Sequence, residues 1–244
     1  MNRVSKCLYF QNKNMLKNTF LYVLYYTLAV LLLMLLPIIF KGLRIGGNAY
    51  GKSNFYLPAG IFTFAYIVST YKETFNYLLL FGNTRKTIFI SSIVTNTAMS
   101  LLLAVISLIS TFVEAPIANW FGYDSIGTDL LDFIYQSNSW ASKLLFIAAF
   151  LILLAAFSML YGALSYKLGK VFTIVFWVAF GVAFVSLPIV AANSKLNFII
   201  IAIDLFFCFE ASNGILLASI NFILLALIFS SLTYLLSRRQ PQVD

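Results

Sequence analysis

Six apolar runs of 18 to 27 residues, at 18–40, 54–71, 87–113, 141–164, 171–192 and 214–236, decide what this chain can fold into. A helix rises 1.5 Å per residue, so about 20 residues cross the ~30 Å hydrocarbon core of a bilayer. Within that core every backbone amide needs an internal partner, which leaves helices or closed barrels. Runs this long and continuous are helical, so the expected fold is an all-α membrane protein with six transmembrane helices in a single domain. Charged residues make up only 10% of the chain and hydrophobic ones 61%, whereas a soluble domain carries about 25% charged residues.

The charges fall between the runs. Arg3, Lys6, Lys13, Lys17, Lys72, Arg85, Lys86, Lys167, Lys170, Arg238 and Arg239 group on one side of the six-span topology, and Lys41, Arg44, Lys52, Lys143 and Lys195 on the other. Positive charge collects on the cytoplasmic side of membrane proteins, so both termini are expected in the cytoplasm. Six of the eight acids fall on the outer side. A net charge of +8 gathered in one patch suggests nucleic acid; distributed in short pieces between spans, it is a topology signal instead.

Several chemistries are disfavoured. The chain has no histidine and two cysteines, Cys7 and Cys208, on opposite sides of the expected membrane. That leaves no metal site, no disulfide and no histidine base. Gly46 to Ser53 matches the phosphate-loop pattern G-x-x-x-x-G-K-[ST]. The pattern works only between a strand and a helix; here it follows a membrane span on the outer side, so a flexible turn is expected. Asp204 is the one acid within the apolar segment 198–209, which is too short to cross and reads as a re-entrant or interfacial hairpin before the last span. It is either a functional carboxylate or the wet tip of that hairpin. Ser92, Asn96 and Ser100 on the third span and Asn221 on the last are candidates to line a pathway, against the commoner role of joining helices by hydrogen bonds. Residues 1–17 read as an interfacial helix, or as a basic tail, whose apolar stripe is interrupted by Gln11. Leu130, Leu131 and Ile134 mark a short helix in the outer loop lying on the membrane.

The segment 71–90, YKETFNYLLLFGNTRKTIFI, joins the second and third spans. Its charges keep it out of lipid, while Phe75 to Phe81 form a short amphipathic piece closed by Gly82. It is a solvated connector, a helix resting on headgroups, or a docking helix for a partner.

The order of these pieces resembles the permease subunit of ABC-2-type ABC transporters. FNYLLLFGNTRKTIF, 75–89, is similar to the coupling-helix region of small Gram-positive peptide-exporter permeases. The resemblance implies a cytoplasmic coupling helix, Glu73, Phe75, Tyr77, Leu78, Leu79, Phe81 and Gly82, inserting into an ATPase, with Arg85 and Lys86 at the membrane edge. It implies that this chain holds no cofactor and is not itself an enzyme: ATP and magnesium belong to a separate ABC ATPase subunit, present in two copies. A second permease chain completes the pathway, the location is the bacterial cell membrane, and the cargo is an amphipathic peptide or toxin. The alternatives are an ATPase-independent immunity or sensor protein and a secondary carrier. The latter needs titratable groups within the spans, which are scarce here.

Overall fold

The computed structural model describes residues 3–39, 49–50, 55–120, 124–125, 130–135, 139–191, 206–208 and 213–238. The helices are α1 (Arg3–Ile39), α2 (Tyr56–Leu80), α3 (Arg85–Trp120), α4 (Leu130–Tyr135), α5 (Trp140–Ala191) and α6 (Gly214–Arg238). Two extended pairs, β1 (Ala49–Tyr50) and β2 (Asp124–Ser125), pair in parallel and tie the connection after α1 to the one after α3. Among the described residues the fold is otherwise helical. Asp204, most of the 198–209 hairpin and all of the phosphate-loop pattern except Ala49–Tyr50 lie outside the described residues. At Ala49–Tyr50 the backbone is extended and paired, unlike the curled, amide-lined turn that holds a phosphate.

Among the described residues, three helices are long and apolar enough to cross a membrane: 85–113, 140–182 and 214–238. Six were expected. Part of the difference is that two expected runs share α5. Gly169 adopts φ 73°, ψ −161° and breaks that helix. The Phe157 ring lies 6.2 Å from Phe176, and Tyr161 lies 5.7 Å from Phe172. In a straight helix Phe157 and Phe176 stand about 28 Å apart, so the chain reverses at 166–169 and the two halves of α5 pack as an antiparallel hairpin.

Two boundaries differ from expectation. The segments expected as an interfacial helix, 1–17, and a span, 18–40, are one helix, α1. Those expected as a span, 54–71, and a coupling helix are also one, α2; neither α1 nor α2 is among the three. No glycine or proline stands between Tyr71 and Leu80, so the hydrogen-bond ladder runs on through Lys72 and Glu73, both exposed.

The first half of α5 is the hub, packed on α2, α3 and α6. Its core includes Leu151, Ala155 and Met159, facing Ala59, Met99, Leu103, Ala218 and Phe222 from the other helices. Close approach to α2 needs a residue without a Cβ: at Gly162 that atom meets Tyr71 Cγ at 2.8 Å. The short helix α4 is present, but Leu131 is buried in this core instead of lying on a membrane surface. The outward residues of α3, the second half of α5 and α6 are mainly Val, Leu, Ile and Phe, an apolar exterior suited to lipid.

Candidate functional site

The turn between α2 and α3 follows from four residues. Helix α2 ends where the Gly82 N–H donates to Leu79 O at 2.9 Å and the Asn83 N–H to Leu78 O at 3.3 Å. This paired closure places the residue after the cap in the left-handed region, and Gly82 has φ 71°. The Asn83 side chain adds a second bond to Leu78 O at 3.0 Å. Helix α3 then begins with Thr84, whose hydroxyl accepts the Thr87 N–H at 3.2 Å. Phe-Gly-Asn-Thr is therefore a stop and a start joined in four residues.

The inner face of this hairpin is fixed. Phe75 (4% exposed) and Leu78 (3%) pack with Cys7 and Ile88, flanked by Phe10 and Leu79. A fully buried side chain of this kind contributes about 2 kcal/mol. Burial also raises the Cys7 thiol above its usual pKa, so it stays a neutral packing group. Asn76 accepts a hydrogen bond from the Tyr166 hydroxyl at 2.9 Å, and Lys72 lies 5.9 Å from the Tyr166 ring. Arg85 reaches the end of α6, its Nη1 donating to Arg238 O at 2.8 Å. The Phe89 ring sits 5.0 Å from Tyr234.

The outer face is open. Leu80 is 85% exposed and Phe81 66%, with Tyr77 and Tyr9 also exposed. Tyr77 stacks on Phe10 of α1 at 4.8 Å, and the Phe81 ring lies tilted against it at 4.6 Å. Beside these rings is a cleft of about 460 Å³ whose walls include Lys6, Phe10, Tyr77, Phe81 and Asn83. Glu73 and Lys86 are also exposed. The expected coupling residues thus divide into two sets. Tyr77, Phe81, Gly82, Glu73 and Lys86 are accessible; Phe75 and Leu78 are buried, Leu79 partly so, and Arg85 is committed to α6. Leu80, the most exposed large apolar residue among those described, stands in the same sequence run, and only the helix phase separates it from its neighbours.

The candidate pathway residues also divide. Ser92 accepts a hydrogen bond from Gln11 Nε2 at 3.1 Å, and Thr95 donates to Gln11 Oε1 at 3.3 Å. Gln11, which interrupts the apolar stripe, is 7% exposed and joins α1 to α3. Ser92 and Asn96 line a cavity of about 60 Å³ between α1, α2 and α3. Ser100 lies elsewhere, fully buried, and bridges to α5 through Leu151 O at 3.2 Å. Asn221 donates to Phe206 O at 2.9 Å and holds the 206–208 segment against α6.

No family model, no curated protein and no solved structure matches this chain.

Proposed function

We propose that this chain is the membrane-spanning permease subunit of an ATP-driven exporter, worked by a separate ATPase that docks on the α2–α3 hairpin. The observation that carries this reading is the exposure of Leu80 and Phe81 on a tip whose opposite face is locked to α1 and α3. Such a tip leaves apolar area in water at a cost of about 2 kcal/mol per side chain, which a partner recovers on docking. It is also rigid enough to transmit a push: the hairpin connects through Phe75 and Ile88 to α1, through Tyr166 to α5 and through Arg85 to α6. Closure of an ATPase dimer would move these helices as packed bodies.

In this reading the chain makes six crossings: α1, α2, α3, both halves of α5, and α6. The end carrying Lys6, Lys72, Arg85, Lys86, Lys167, Lys170 and Arg238 is cytoplasmic, with both termini inside a bacterial cell membrane. Two permease chains form the pathway for an amphipathic peptide, and two ATPase subunits bind ATP and magnesium.

The test is co-purification in mild detergent from the native host. The wild-type chain retains an ATPase subunit, and Leu80→Asp reduces the retained amount at least tenfold, the loss of roughly 1.4 kcal/mol or more of docking energy. A polar substitution on the lipid-facing side, Leu224→Asn, leaves it bound. An ATPase that stays with Leu80→Asp places the docking surface elsewhere.

A further inference from the structure

The 60 Å³ cavity behind the hairpin has a chemistry of its own. It is walled by Gln11 and Asn14 of α1, Thr70 and Thr74 of α2, and Ser92, Thr95 and Asn96 of α3, with aromatic rings beside them. Among the described residues no charged side chain lines it. Several of these groups are satisfied within the protein. Thr70 donates to Tyr66 O at 2.8 Å, and Gln11 is paired with Ser92 and Thr95. Three are not: among the described residues, the Asn14 and Asn96 carboxamides and the Thr74 hydroxyl form no hydrogen bond. Asn96 and Thr74 are half-buried and Asn14 is exposed, and none of their polar atoms is sealed from solvent, so all three are open to a ligand that enters the cavity.

We propose that this cavity is a binding site for an uncharged carboxamide headgroup. A carboxamide offers one acceptor and two donors, and it pairs with the Asn96 carboxamide through two antiparallel hydrogen bonds. The Thr74 hydroxyl supplies a third partner from the facing helix. A carboxylate or ammonium head entering this space loses its hydration with no counter-charge to replace it. The volume equals about four to six water positions, room for the three heavy atoms of an amide head but not for a ring or a phosphate. The rest of such a ligand lies outside the cavity, so the site selects amphiphiles by their head. The inference stands apart from ATPase docking: it concerns Asn96 and Thr74, and it survives or fails whatever binds Leu80.

The test uses the full chain in lipid nanodiscs with four twelve-carbon amphiphiles: dodecanamide, dodecanoic acid, dodecylamine and 1-dodecylglycerol. Dodecanamide raises the melting temperature by about 3 °C at tenfold excess over its Kd, and the acid and amine do not. Asn96→Leu abolishes the shift, and Thr74→Val weakens binding about tenfold, keeping the test open if Asn96→Leu does not fold. Equal shifts from all four amphiphiles, no shift from dodecanamide, or a shift that survives both substitutions overturns the proposal. A response to 1-dodecylglycerol equal to that of the amide replaces the carboxamide assignment with a lipid hydroxyl and overturns it too.

Discussion

Single side chains in this protein act mainly through what they leave out. Gly162 lets α5 touch Tyr71 of α2: a Cβ there meets Tyr71 Cγ at 2.8 Å and its Cβ at 2.9 Å. Those atoms lie at the root of the side chain and cannot swing aside. Gly162→Val is expected to destabilise the chain by roughly 1–3 kcal/mol, read from the midpoint of SDS-induced unfolding. Gly60 faces the same interface, but its nearest neighbour is the mobile tip of Leu154 at 2.6 Å. Gly60→Ala is accordingly expected to shift the midpoint far less. Gln11 shows the reverse case. Along the sequence it reads as a flaw in an apolar stripe, because its partners, Ser92 and Thr95, lie more than eighty positions away. No local pattern reveals such a pairing.

At the scale of an element, the α2–α3 hairpin stands on two caps. Gly82→Ala puts a Cβ on a residue at φ 71°, and Thr84→Ala removes the acceptor for the Thr87 amide. Each is expected to cost about 1 kcal/mol. Local opening then becomes about fivefold more frequent, and amide hydrogen exchange across 79–87 accelerates by that factor while the α5 core does not change. The Gly82 stop was legible in the apolar piece that it closes, as was the break in α5 in the short gap between the runs 141–164 and 171–192. Helix continuity was not. Charges mark where lipid ends, and Lys72 and Glu73 do that; they do not stop a helix, so α1 and α2 run on past their apolar segments. Nor did the apolar run 75–81 reveal which side chains face outward. Phe75 and Leu78 are claimed by Cys7 and Ile88 from distant segments, and that choice turns on tertiary packing.

For the whole molecule, the reversal within α5 sets the number of crossings, and it has a direct readout. In a Phe157→Cys/Phe176→Cys chain with its two native cysteines changed to Ala, a short bismaleimide is expected to join the pair within one chain. A continuous helix keeps them about 28 Å apart and gives no product. The same turn governs how the chain is made. Only a handful of residues separate the two apolar halves of α5, and Lys167 and Lys170 sit in that short connection, exposed. In the proposed topology the first half stops in the bilayer with Lys167 and Lys170 still on the cytoplasmic side, and the second half re-enters the bilayer from there. A truncation that stops the chain between residues 170 and 182 strands the first half without its partner and hands the cell's quality-control proteases an incomplete protein.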